Sequence, residues 1–142
     1  MIKQITVFIK NEPGSLFHVT SILAKHDVDI RAINLAETAD VSLLRLVATP
    51  SEKALKIFRD NNIKFVEHDV FGVEIKDKPG GLAEFAAFLT KNKINIEYLY
   101  PFITKSKDRS FLVLRPTDSS RAEKVLLKSG LKLLTEEEFY KV

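Results

Sequence analysis

Near the start of the chain, Ile5, Val7 and Ile9 alternate with polar or exposed positions, and that period predicts a strand. Phe71, Val73 and Ile75 repeat the pattern in the second half. After each strand a Pro-Gly pair punctuates the chain, and the spacing then turns helical. Leu16, Val19, Thr20 and Leu23 form one inward face; Leu82, Phe85, Ala86 and Leu89 form its counterpart. Two further strands are expected at 28–37 and 41–49, and again at 94–104 and 110–115. Ala39-Asp40 and Ser106-Lys107-Asp108 read as their hairpin turns. A second helix follows at 51–61 and at 119–129, the latter ended by Gly130. A last strand at 63–67 or 131–134 closes each half. Thr135-Glu136-Glu137-Glu138 adds a capped short helix at the C-terminus.

The two halves are copies. Asn11-Glu12-Pro13-Gly14-Ser15-Leu16 recurs as Asp77-Lys78-Pro79-Gly80-Gly81-Leu82, and Pro13 with Pro79 sets an offset of 66. The same offset pairs Val7 with Val73, Lys10 with Lys76, Leu23 with Leu89 and Ile30 with Ile96. Later the offset becomes 68, pairing Leu44 and Leu46 with Leu112 and Leu114, and Ile63-Lys64 with Leu131-Lys132. Two units are therefore expected, at residues 1–69 and 70–142. His68-Asp69 is the turn-like material at the border, and no Gly/Ser-rich tether lies there. The element order in each half is βαββαβ. The expected fold class is α+β, with two ferredoxin-like units in tandem.

Composition narrows the function classes. The chain contains no cysteine, which excludes disulfides, cysteine zinc sites and thiol nucleophiles. Apolar runs are short and broken by charge, no signal peptide is visible, and a cytoplasmic protein with no membrane partner is expected. The net charge of +3 is spread along the chain and is not gathered on one segment. His18, His26 and His68 have no metal-ligand spacing, and Ser15 has no placed base. The expectation is no enzyme activity, no catalytic residue, no metal and no cofactor. His18 stands where it could rim a pocket, although a surface histidine is the simpler reading.

The repeated loop is the place to look for a ligand. Pro followed by Gly favours a tight turn, and Gly lets a ligand approach the backbone. Just beyond it, the amides of Ser15, Leu16 and Phe17 begin a helix, where unpaired N–H groups and the positive dipole end suit a carboxylate. Strand-Pro-Gly-helix is equally a plain stop-and-start signal.

The run Asn/Asp-x-Pro-Gly-x-Leu after an apolar strand, with Asp29-Ile30 or Asn95-Ile96 opening the next strand, resembles the ACT domain family of amino-acid-binding regulatory modules. The resemblance covers both halves. The chain is also similar to regulatory subunits of acetolactate synthase, which usually carry one such unit and a different C-terminal domain. The resemblance implies that ligands sit where units meet, with the loop of one facing the second-strand start of another. By position, the implied ligand-binding residues are Asn11, Gly14, Ser15 and Leu16 with Asp77, Gly80, Gly81 and Leu82. The facing residues are Asp29 and Asn95. Acid and amide are exchanged between the halves: Asn11 and Asp29 in one, Asp77 and Asn95 in the other. Like-with-like pairing gives each site one carboxylate; cross pairing gives one site two and the other none.

The expected partners are thus a free amino acid, a second copy of the chain and an amino-acid biosynthetic enzyme. Phe8, Leu43, Val47, Phe111 and Val113 point away from the helices by parity, giving a partly apolar open face suited to a homodimer. The alternatives are a dedicated regulatory subunit of an enzyme such as acetolactate synthase, or an RNA-binding protein of the same element order. The latter would stack bases on Phe8 and Phe111, but neither half holds a complete aromatic platform.

Overall fold

The structure is a computed structural model and describes residues 1–105 and 109–142. The expected turn Ser106-Lys107-Asp108 lies outside the described residues. The chain forms β1 (Ile2–Ile9), α1 (Ser15–Lys25), β2 (Asp29–Glu37), β3 (Ser42–Thr49), α2 (Ser51–Asp60) and β4 (Phe65–Ile75). It continues with α3 (Gly81–Lys91), β5 (Ile96–Pro101), β6 (Ser110–Pro116), α4 (Ser119–Lys128), β7 (Leu133–Leu134) and α5 (Glu136–Lys141). Two compact units result: Lys3–His68, and Asp69–Val142 together with Met1–Ile2. Each is a ferredoxin-like βαββαβ unit, and α5 extends the second.

In the amino-terminal unit the strands lie in the order β2-β3-β1-β4. The parity of β1 sends Ile5 and Val7 to the helix side, where they meet Leu44 and Leu46 of β3. Val19, Ile22 and Leu23 of α1 and Ala54, Leu55 and Phe58 of α2 close that core. Leu16 and Thr20 were expected on the inward face, but Leu16 is exposed and Thr20 only half-buried; Ile22 takes the inward place. Leu16 and its counterpart Leu82 sit at the first turn of their helices, before the helix crosses the sheet. Ala86 is exposed as well.

The carboxy-terminal unit has the order β5-β6-β4, with β7 on the other side of β4. Phe71, Val73, Leu112, Leu114, Phe85, Leu89, Ala122 and Leu126 form its core. Asp118 caps α4 by accepting the Arg121 amide at 3.0 Å, and Gly130 ends the helix segment with φ +76°. Thr135 and Glu138 form the expected capping box of α5.

Two expectations are corrected. His68-Asp69 is not a turn: it lies inside β4, an uninterrupted strand of 11 residues. Charged and polar side chains resemble turn material in sequence, yet a half-exposed strand carries them equally well. The open apolar face is also not open at most of its residues. Phe8 stays 36% exposed, but Val47, Phe111 and Val113 are buried. In the carboxy-terminal unit the cover is α5: Phe139 is fully buried, 4.4 Å ring to ring from Phe102, which lies 5.0 Å from Phe111. On β1, Gln4 and Thr6 share the parity of Phe8 and are buried too, joined by a 3.2 Å side-chain hydrogen bond.

Candidate functional site

Both Pro-Gly loops leave their strands and turn directly into a helix. Gly14 and Gly80 sit at the helix N-caps with φ +90° and +87°, the left-handed region in which side chains with a Cβ are strained. Among the described residues neither has a neighbour within 4 Å of where a Cβ would stand, so backbone conformation and not space selects glycine there. The first helical bonds run from His18 N–H to the Gly14 carbonyl and from Glu84 N–H to the Gly80 carbonyl, each 2.9 Å. The amides of Leu16 and Phe17, and of Leu82 and Ala83, precede those bonds and have no helical acceptor. Among the described residues no side chain caps either helix.

A groove of about 570 Å³ lies beside the first loop. Its walls are the end of β1 (Phe8, Ile9, Lys10), the loop from Glu12 to Ser15, His18 and Val19 of α1, and Asn62-Ile63-Lys64. Its floor is apolar and its rim charged. Among the described residues Lys10 and Lys64 form no ion pair. Such a groove can seat a small zwitterion: two cations and a helix start for an anionic group, with Ile9, Val19 and Ile63 for an apolar part.

The equivalent space in the carboxy-terminal unit is divided. One part, about 550 Å³, is lined by Glu74 to Lys78 and Gly130 to Lys132. The other, about 240 Å³, lies against α3 at Gly81, Glu84, Phe85 and Phe88. Lys76 lines both parts, and its ammonium is 2.7 Å from Glu84. Hydrogen bonding to Lys76, with the charges of Lys76 and Lys78, holds the Glu84 carboxyl below its usual range. Arg109 pairs with Glu74 through two hydrogen bonds at 2.6 and 2.9 Å, and Lys132 pairs with Glu138.

The residues singled out in the sequence divide into four groups. Gly14 and Ser15 line the first groove, Asp77 lines the larger and Gly81 the smaller part of the second. Gly80 forms the turn beside it, and Leu16 and Leu82 are exposed at the helix starts. Asn11 is held outside the groove wall, donating to Glu37 Oε1 at 2.9 Å. Asp29 and Asn95 lie at the opposite ends of their units. Ile9 pairs with Ser42 and Asp29 with Thr49, so the length of β3, roughly 23 Å at the usual rise, separates the loop end from Asp29. Ile75 pairs with Ser110 and Ile96 with Pro116, which separates Asp77 from Asn95 in the same way. Asp29 there accepts from Arg31 at 3.5 Å, and Asn95 bonds Thr117. Sequence reasoning did not select Lys10, Asn62 and Lys64, although Lys10/Lys76 and Lys64/Lys132 recur at the repeat offsets.

Over residues 1–142 the sequence matches the family model of the ACT domain pair. The chain belongs to that family. A solved structure of protein BT0572 from Bacteroides thetaiotaomicron is similar to this ACT domain pair at TM-score 0.90 and 33% identity, over 99% of this chain and 96% of that one. The ligand-free regulatory subunit of aspartate kinase from Thermus thermophilus aligns at TM-score 0.65 and 19% identity, over 88% and 87%. The regulatory subunit of aspartate kinase from Thermus flavus aligns at 0.60 and 18%, over 88% of each chain. These two likenesses concern the fold. No curated protein matches the chain. Among the described residues no cluster of His, Asp and Glu could hold a metal ion, and no helix is long and apolar enough to cross a membrane.

Proposed function

We propose that this ACT domain pair is a non-catalytic cytoplasmic regulator that binds a free amino acid at its Pro-Gly loop grooves. The observation that carries the reading is the first groove. There a helix start without a side-chain cap, two lysines and an apolar wall surround a space of small-molecule size. The ligand carboxylate takes the amides of Leu16 and Phe17 with the Lys10 ammonium. Its side chain packs against Ile9, Val19 and Ile63.

The ammonium needs acceptors: Glu12 on the groove wall offers a carboxylate, and Asp29 or Asn95 would add a carboxylate or an amide oxygen. Within one unit Asp29 and Asn95 are too far from the loop, so they can complete a groove only from outside the unit that carries it. A homodimer is one assembly that supplies them, and the exposed Phe17, Leu35 and Leu82 give it apolar contact surface. Binding then changes how copies pack, or how the protein engages an enzyme of amino-acid biosynthesis. The likeness to regulatory subunits of aspartate kinase makes an enzyme of that kind the first partner to try. RNA binding is disfavoured because Phe111, one of the two candidate stacking rings, is buried under Phe102.

Thermal unfolding in the presence of each of the twenty amino acids tests the reading. A ligand specific to the folded protein raises the midpoint in proportion to the logarithm of its concentration above Kd. One amino acid or one chemical group of them is expected to do so. No shift with any, at millimolar concentration, would contradict the proposal.

A further inference from the structure

We infer that the two Pro-Gly grooves have diverged: the amino-terminal one accepts an external carboxylate, and the carboxy-terminal one is occupied by the protein's own Glu84. This rests on the amino-acid-binding reading and sharpens it to one class of loop groove per chain.

At the repeat offset, Lys10 corresponds to Lys76, Glu12 to Lys78 and His18 to Glu84. The lysine on the strand end is retained, while the carboxylate moves from the loop to the first turn of the helix. The consequence is geometric. Glu84 reaches back so that one oxygen lies 2.7 Å from the Lys76 ammonium and the other 3.6 Å from Lys78. That is the contact a ligand carboxylate would make with the strand-end lysine. In the first unit His18 supplies no carboxylate, and Lys10 has no ion pair among the described residues.

The remaining charges reinforce the contrast. Facing the carboxy-terminal space are Lys76, Lys78 and Lys132 against Glu74, Asp77 and Glu84, with each lysine bound to a glutamate and Glu74 bound to Arg109. Facing the amino-terminal groove are Lys10, Lys64 and His18 against Glu12 alone. The first field is neutralised from within and the second is left net cationic. Lys76 lines both parts of the carboxy-terminal space, and Glu84 lines the smaller one, against the start of α3. The bridge is solvent-exposed and weak in itself. A tethered carboxylate nevertheless competes at an effective concentration on the order of millimolar. A free amino acid at ordinary concentration must displace it.

Backbone amide NMR on the full chain separates the grooves. The probes are the twenty amino acids, one at a time, and acetate as the minimal carboxylate. In the unaltered protein the amides of Ser15, Leu16 and Phe17 should shift saturably with at least one amino acid, while Gly81, Leu82 and Ala83 stay still. Glu84→Gln should recruit Gly81 to Ala83 into the response, and His18→Glu should weaken the response of Ser15 to Phe17 severalfold. Equal response of both loops in the unaltered protein, or response of the second alone, overturns the inference and leaves amino-acid binding standing. A silent second loop in Glu84→Gln overturns the role of Glu84. Silence of both loops with every probe overturns the binding reading itself, and this inference with it.

Discussion

Gly81 begins α3 so close to the end of β4 that a Cβ on it would lie 2.0 Å from the Lys76 carbonyl oxygen. Ser15 holds the equivalent place in the first unit and carries a Cβ, so the two helices leave their loops differently. The hydrogen bonds agree: Gly81 N–H reaches the Lys78 carbonyl at 2.9 Å, Ser15 N–H the Glu12 carbonyl at 3.3 Å. Gly81→Ala must therefore push a helix off a strand. A loss of about 1–3 kcal/mol in urea unfolding is expected, the range for forced overpacking. Ser15→Gly should change stability by less than about 1 kcal/mol. Equal, small effects at both positions would refute the close approach.

The short C-terminal helix is held by Phe139, whose ring contacts Phe102 and whose edge lies 3.2 Å from the place of a Cβ on Gly72. Phe139→Ala should cost about 3–5 kcal/mol, as for large aromatic deletions in cores. Hydrogen exchange should rise first in α5 and β6. If exchange in β6 is unchanged, α5 is not the cover of that face.

Acid should weaken the carboxy-terminal unit. Glu74 is held below the ordinary carboxylate range by its hydrogen bonds to Arg109, against an opposing cost of burial. Glu84 and Glu138 are lowered by Lys76 and Lys132. A carboxyl with a lower pKa in the folded state adds stability that is complete above its unfolded value. That stability is lost as pH falls through the folded one. Unfolding midpoints should therefore hold above pH about 5 and decline below pH about 4.5. Glu74→Gln should flatten the decline. A midpoint that does not fall below that pH would contradict these pairings.

Much of this was legible in the chain itself. The repeat exposed both units, because Pro13-Gly14 and Pro79-Gly80 punctuate the same elements at one offset. Continuity of β4 was not, because His68-Asp69 carries no local sign that separates an exposed strand from a turn. Burial of Phe111 was hidden as well: parity places it away from α3 and α4, and only the fold brings Phe139 onto that face. The turn conformation was legible, since Gly14 and Gly80 have the positive φ that their residue type suggested. The partner of Asn11 was not, because its bond to Glu37 joins residues 26 apart in sequence. Lys10 and Lys64 were visible as repeated residues, but what distinguishes them, the lack of a carboxylate partner among the described residues, is a property of three-dimensional pairing.

Titration calorimetry on the Lys10→Met variant, using whichever amino acid stabilises the unaltered protein, bears most directly on the amino-acid site. Lys10 is exposed and forms no ion pair among the described residues, so the variant should unfold at an unchanged midpoint. Loss of a charged hydrogen-bond partner costs about 1.5–3 kcal/mol, so its Kd should rise roughly ten- to a hundredfold. A Kd equal to that of the unaltered protein would place the amino acid somewhere other than the Pro13-Gly14 groove.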